Sequence, residues 1–263
     1  MSYELIKLNT ARNALRYVIK AFNIKELYLP YYICPTLRIA IHKENCKIIY
    51  YHIDENFIPL QKFPDNAFIL YPNYFGVCGK IVEEFSNRFP NLIVDNAHSF
   101  YSDPKGIASF NSLRKFFPKL RDGSFLYTKK IIDIDIEKDM YSYHPQLLTY
   151  EELCKNEQRL DFEQIKLMSD TTLKSLSNED RQQRIDKFNY WKRRLNGNIV
   201  LYENDVPFVY PYIANTVQEA NNLVEKLKQE NIVVYRYWNN LPNSYPEKIF
   251  YTNLVAIPLN TFE

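Results

Sequence analysis

The sequence predicts an α/β protein built on a mostly parallel sheet, followed by a small α+β domain. Strand-like and helix-like segments alternate over the first hundred residues, which is typical of a parallel sheet. The chain has 263 residues and 46% hydrophobic content, enough for a sizeable core. A strand–helix–strand pattern returns near the C-terminus. We therefore expect a large domain over residues 1–196 and a small domain over 197–263.

The first half supplies most of the predicted sheet. Apolar residues recur at helical spacing over 10–22, with Asn9 or Thr10 as the N-cap. The next helices are predicted over 35–42 and 81–89. Short apolar or aromatic runs predict strands over 26–29, 47–52, 66–71 and 92–94.

The second half is predicted in less detail. A polar, basic stretch over 107–130 turns and returns as a strand over 124–128. Residues 145–196 are charged and largely helical in pattern. The C-terminal pattern is a strand at 199–202, a helix at 216–229 and a strand at 232–235.

Composition excludes several classes of function. The net charge of +2 gives no field that would attract nucleic acid, and no apolar run is long enough to span a membrane. The N-terminus lacks the apolar core of a signal peptide, so we expect a cytoplasmic protein. Five glycines form no dinucleotide or P-loop motif. No metal site is expected, and the scattered cysteines are expected to be reduced thiols: Cys34, Cys46, Cys78 and Cys154.

Three features could form a binding site. Asp95 ends a buried strand, with His98 three residues later, and ligands collect at the carboxyl ends of parallel strands. Lys115 lies among aromatic residues and next to Arg114, which would lower its pKa and favour Schiff-base chemistry. The helix that starts near Arg12 and Asn13 has free amides for a phosphate.

Each feature also has an ordinary structural explanation. Asp95 could cap the following helix, with His98 packed against it. Lys115 could belong to a solvated basic loop, and most helix N-termini bind no ligand. Taken together, however, the three features favour a binding site for pyridoxal phosphate (PLP). This cofactor needs a phosphate-binding helix, then an acid with a nearby histidine, and then a lysine, which is their order in the chain.

The chain resembles the DegT/StrS family of PLP-dependent sugar aminotransferases, above all its short members from polysaccharide gene clusters. The segments that carry the resemblance are Thr10–Leu15, Tyr28–Pro35, Asn73–Gly76, Val94–His98, Ser112–Phe117 with Asp122-Gly123, Leu167–Thr172, Arg184–Tyr190 and Ala256–Leu259. The resemblance implies the aspartate-aminotransferase (type I PLP) fold for the large domain.

The resemblance also implies roles for individual residues. Lys115 matches the lysine that bonds to the cofactor, Asp95 the acid that faces its ring nitrogen, and His98 a group near its ring oxygen. The remaining expected cofactor contacts are Arg12, Asn13, Tyr32, Cys34 and Ser112, and the expected substrate contacts are Asn73 and Tyr74. Cys34 or Tyr32 falls near the position at which the family has an aromatic side chain that stacks on the ring, and the alignment puts Cys34 at that position. Since arginine stays protonated, Lys115 rather than Arg114 is the residue suited to this chemistry.

The implied function is transfer of an amino group from an amino acid, usually glutamate, to a keto-sugar nucleotide, by a homodimer. Three alternatives remain. A sugar dehydratase of the same fold would carry histidine in place of Lys115. The chain, shorter than typical members, could bind PLP without activity. It could also be an α/β binding module that binds no PLP.

Overall fold

The computed structural model describes residues 2–117, 120, 123–139, 164–168, 178–238 and 241–259. Its centre is a seven-stranded sheet in the order β1-β7-β6-β5-β4-β2-β3, and β8 and β9 form a separate two-stranded sheet. The strands are β1 (Glu4–Leu8), β2 (Glu26–Pro30), β3 (Lys47–Tyr51), β4 (Ile69–Pro72), β5 (Leu92–Asn96), β6 (Ala108–Asn111), β7 (Ser124–Thr128), β8 (Val209–Ile213) and β9 (Leu254–Pro258).

Helices connect these strands and cover the sheet. They are α1 (Ala11–Phe22), α2 (Pro35–Lys43), α3 (Gly79–Arg88), α4 (Leu113–Phe116), α5 (Asn178–Arg194), α6 (Val217–Gln229) and α7 (Lys248–Thr252), with a short 3-10 turn at Tyr74–Gly76. Among the described residues, no helix combines the length and the apolar character that crossing a membrane requires.

Helix α1 shows how the sequence positions the first layer. Thr10 is its N-cap, and the Thr10 hydroxyl accepts a hydrogen bond from the Asn13 amide at 3.0 Å. Asn23 ends the helix in the left-handed conformation (φ 52°), which asparagine tolerates better than most residues. The buried face of α1 includes Leu15 and Val18, which join the core cluster beneath the sheet. The helix therefore begins and ends as its sequence predicts.

The sheet is parallel from β3 through β2, β4 and β5 to β6, and antiparallel where β7 and β1 follow. The prediction of an α/β fold with a mostly parallel sheet is confirmed. Strands β5 and β6 are direct neighbours, and Asp95 is paired with Phe110. The carboxyl end of β5 therefore lies beside the start of the segment that carries Lys115.

The C-terminal elements pack against the sheet layer. One core cluster combines Tyr32 and Tyr71 from the first half with Val209, Phe250 and Leu254 from the last sixty residues. Helix α6 packs in another cluster, in which Ala220 and Leu227 are fully buried. The domain boundary near residue 196 stays a prediction, since residues on both sides of it share the first of these clusters.

Several element predictions were wrong. Residues 199–202 form no strand, and the predicted strand at 232–235 is reduced to one bridge between Tyr235 and Ala256. Strands β1, β6, β8 and β9 were missed because each is short and lacks clear alternation. The predicted helical stretch 145–196 is helical over α5, and its residues 145–163 and 169–177 lie outside the described residues.

Candidate active site

Asp95 lies in β5, the strand in the middle of the large sheet, and its side chain is buried. One carboxylate oxygen, Oδ1, accepts a hydrogen bond from the Ala97 amide at 2.8 Å, which is the cap-like contact expected of an acid at a strand end. Loss of water raises the pKa of Asp95 to about 6, against the lowering effects of the Ala97 amide and the Lys115 charge. A positive charge close to Asp95 would therefore stabilise its ionised form.

Lys115 lies in α4, the single turn that follows β6. Loss of water lowers the pKa of Lys115 to about 8. Electrostatic interactions with Asp95 and Cys34 raise this pKa in part, whereas the positive charge of Arg114 lowers it further. Within the described part of the chain, the ammonium makes no hydrogen bond and no ion pair, and it lies 5.8 Å from the centre of the Phe208 ring. A substantial fraction of this amine is thus neutral near pH 8.

His98 completes the group. It is 4% exposed, and burial, with a smaller contribution from the Lys115 charge, holds the pKa of His98 well below 6.5. Its Nε2 atom has no hydrogen-bond partner among the residues that the structure describes. Buried polar atoms normally have partners, so an orphan atom at this position indicates room for a polar ligand atom. The structure thus brings Asp95, His98 and Lys115 together, as the sequence predicted.

Four aromatic rings surround His98. Phe208 and Trp238 stack on it with ring centres at 4.9 and 5.5 Å, and Phe75 stacks at 5.5 Å. Tyr237 meets the imidazole edge-on at 5.4 Å. Sequence reasoning missed these four residues, because with 22 tyrosines and 17 phenylalanines no single aromatic position stands out.

Tyr32 and Cys34 precede α2, and Cys34 is the N-cap of this helix. The Tyr32 ring is fully buried against Phe250, Trp238 and Tyr74. Its hydroxyl has no hydrogen-bond partner in the described part of the chain. Cys34 is partly exposed, with Sγ 3.1 Å from the Thr36 hydroxyl, and it is near enough to Lys115 to influence the pKa of the amine. Both residues therefore lie near the group, but Cys34 offers no ring.

The two predicted substrate residues have structural contacts. Asn73 donates its amide to the Asp95 carbonyl at 3.0 Å, and its side-chain oxygen accepts from the Cys78 amide at 3.0 Å. Tyr74 is fully buried and donates its hydroxyl to the Tyr32 carbonyl at 2.8 Å. These contacts hold the turn beside the site, and contact with a substrate stays a prediction.

The start of α1 is tightly held. The Asn13 side-chain amide donates to the Asn9 side chain at 2.8 Å and to the Gln164 carbonyl. Arg12 is partly exposed on the first turn. Ser112 is buried and caps no helix amide with its side chain, and its carbonyl accepts from the Lys115 amide at 3.3 Å. The phosphate contacts expected of Arg12, Asn13 and Ser112 stay predictions.

The donor set fits PLP better than a metal ion. In the described part of the chain, no cluster of three histidine, cysteine or acidic residues could hold a metal. Asp95 has an oxygen left for a ring nitrogen, His98 an orphan nitrogen for a ring oxygen, and Lys115 an unbonded amine for an aldehyde. These are the three contacts that the sequence analysis assigned to the pyridine ring of PLP.

Comparison with known proteins gives structural matches only. No family model matches the sequence, and no curated protein matches it. A DegT DnrJ EryC1 StrS aminotransferase from Brucella abortus superposes with a TM-score of 0.60 at 12% identity, over 98% of this chain and 81% of that one. Helicobacter pylori PseC, an aminotransferase of pseudoaminic acid biosynthesis, superposes with a TM-score of 0.60 at 14% identity, over 97% of this chain and 81% of that one.

A third match names the cofactor. Spr1654 of Streptococcus pneumoniae, described as a sugar aminotransferase in its PLP form, gives a TM-score of 0.61 at 15% identity over 99% of this chain and 83% of that one. At these identities the likeness establishes the fold. The resemblance read from the sequence is thereby confirmed as structural: the chain has the fold of the DegT/DnrJ/EryC1/StrS sugar aminotransferases.

Proposed function

We propose that this chain is a PLP-dependent aminotransferase that moves an amino group from an amino acid to a keto-sugar. The observation that carries the proposal is the grouping of Asp95, His98 and Lys115, in which the charge of the lysine influences the pKa of both other residues. The fold shared with sugar aminotransferases supports the same conclusion. When bound, PLP supplies an aldehyde that reacts with amines and a ring that accepts electrons.

Each residue of the group has a distinct task. Lys115 would hold the cofactor through its Nζ, and its free amine would take up and return a proton, for which a pKa of about 8 is well placed. Asp95 would face the ring nitrogen and favour its protonated form, since a buried carboxylate gains most from a cationic partner. His98, whose lowered pKa keeps it neutral, would donate or accept one hydrogen bond through Nε2.

The finer assignment goes beyond the fold. We propose glutamate as the amino donor and a nucleotide-linked keto-sugar as the acceptor, in the biosynthesis of a surface polysaccharide. We also propose a homodimer in the cytoplasm. Support comes from the family resemblance of the sequence and from two structural matches, one described as a sugar aminotransferase and the other as an aminotransferase of pseudoaminic acid biosynthesis.

An absorbance titration tests the proposal. The purified chain should take up PLP and absorb at about 410–430 nm, and glutamate should shift this band to about 330 nm. Lys115→Ala should abolish the band, whereas Arg114→Ala, which changes the exposed neighbour, should keep it. An unchanged spectrum in Lys115→Ala would remove Lys115 from this role.

The same titration separates the alternatives. Bound PLP that glutamate does not shift indicates an inactive member of the family. A chain that stays colourless with added PLP indicates a binding module of another kind. A panel of keto-sugar nucleotides, followed by mass spectrometry, then identifies the acceptor, and light scattering measures the oligomeric state.

A further inference from the structure

One aromatic ring lies close to both Lys115 and His98. Phe208, from the segment before β8, has its ring centre 5.8 Å from the Lys115 Nζ, and its ring stacks on His98 at 4.9 Å and 22°. No other described ring makes close contact with both residues.

We propose that Phe208 is a positioning residue of the site, whose ring fixes the Lys115 amine relative to His98. The meaning of this role for catalysis rests on the proposed function. Phe208 lies in the C-terminal third of the chain, where the sequence predicted no site residue.

The backbone holds Phe208 in place. Its amide donates to the Phe75 carbonyl at 2.8 Å, and its ring packs on Phe116, the residue after Lys115, at 5.5 Å. Gly76 permits this approach: a side chain there would meet the His98 and Val206 carbonyl oxygens at 2.6 and 2.7 Å. Phe208 is therefore held in two ways, by its own backbone at Phe75 and by the Phe116 ring beside Lys115.

Arg184 supports the Phe208 backbone and the Phe116 ring that packs on Phe208. Arg184 is fully buried, and its guanidinium lies 4.7 Å from the centre of the Phe116 ring. One of its nitrogens lies 3.5 Å from the Phe208 carbonyl, a long hydrogen bond. Helix α5 thus braces both Phe116 and the Phe208 backbone.

The ring acts on the amine in two opposite ways. Its negative face attracts the ammonium form, and its bulk excludes water, which favours the neutral form. Phe208→Leu keeps most of the bulk and removes the attraction, so the pKa of Lys115 should fall by about half a unit. Phe208→Ala admits water, so the pKa should rise by about one unit.

Trace acetylation with acetic anhydride measures this pKa without cofactor. The full chain, freed of bound aldehyde by dialysis against hydroxylamine, is labelled between pH 6 and 10.5, and mass spectrometry follows the Lys115 peptide. Phe208→Tyr should titrate like the parent. Phe188→Leu, a change of the same size at a buried residue in α5, should also leave the titration unchanged.

Binding of PLP gives the second measurement. Phe208→Leu should weaken PLP binding three- to tenfold, about the contribution of one aromatic pair, while Phe188→Leu should stay within about twofold. The inference is overturned if both the leucine and alanine variants of Phe208 titrate like the parent, or if Phe188→Leu weakens PLP binding as much as Phe208→Leu. If the parent binds no PLP, the proposed function fails, and the labelling still decides the role of Phe208.

Discussion

Asp205 accepts a hydrogen bond from the backbone amide of Gly79 at 3.1 Å, and this contact joins the first turn of α3 to the segment that leads to Phe208. The other carboxylate oxygen accepts from the Tyr202 amide at 2.9 Å. Asp205 is 4% exposed, and loss of water raises its pKa to about 6. A carboxylate with so little water depends on these two amides.

Gly79→Ala should destabilise the fold by about 2–3 kcal/mol, because the new methyl group displaces the Asp205 carboxylate and costs a buried hydrogen bond. A Cβ atom at position 79 would lie only 2.2 Å from Oδ1. Urea unfolding measures the change. Lys80→Ala, an exposed residue in the same turn, is the control. Equal stability of the two variants would contradict the assignment.

Arg184→Met should cost about 3–5 kcal/mol, since it leaves a buried acid without its cation. Arg184 donates to Asp180 at 3.0 Å, and Asp180 also accepts the Tyr101 hydroxyl at 2.5 Å. Thermal unfolding of this variant is compared with that of Arg193→Met, an exposed arginine of the same helix. A loss no larger than the control's would show that the pair contributes little.

Lys115→Met should stabilise the fold by an amount that depends on pH. The pKa of Lys115 is about 8 in the fold, below the ordinary 10.5, so the parent loses stability as pH falls from 10.5 to 8. As pH falls over that window, the stability advantage of the variant should grow by roughly 1–2 kcal/mol. This is less than the full pKa shift would give, because the partial exposure of Lys115 lets solvent screen its charge. Urea unfolding at four pH values measures it, and a constant difference would argue against a desolvated amine.

His98→Phe should leave the stability of the cofactor-free chain unchanged at pH 8 and improve it at pH 5. The pKa of His98 lies well below 6.5 in the fold, so the parent loses stability as pH falls below 6.5, and phenylalanine has no such loss. The variant should still bind PLP less tightly, because Nε2 is gone. Lower stability at both pH values would show that Nε2 has a partner within the protein.

Much of the site could be predicted from local sequence. Asp95 directly follows an apolar run that predicts a buried strand, and Lys115 follows later in the chain, among aromatic residues. The end of one strand and the turn after the next place the two side chains in one site. The α1 N-cap was narrowed to Asn9 or Thr10 for the same reason, because a cap is decided by neighbouring residues, and the structure selects Thr10.

The walls of the site could not be predicted this way. Phe208 and Trp238 reach His98 from more than a hundred residues away, and their positions depend on how β8 and β9 pack against the first half of the chain. Strand β8, with a proline inside it, has no period that marks it as a strand. Contacts of this kind are set by tertiary packing rather than by spacing along the chain.

The pairing of β5 with β6 has a consequence for how this protein can change. The ladder pairs Asp95 with Phe110, and the chain runs from there through the end of β6 into α4, which carries Lys115. Residues inserted at the exposed Asp103, in the crossover between the two strands, would therefore extend the surface and leave this pairing in place. The crossover can thus vary in length while the acid keeps its register with the strand that leads to the amine.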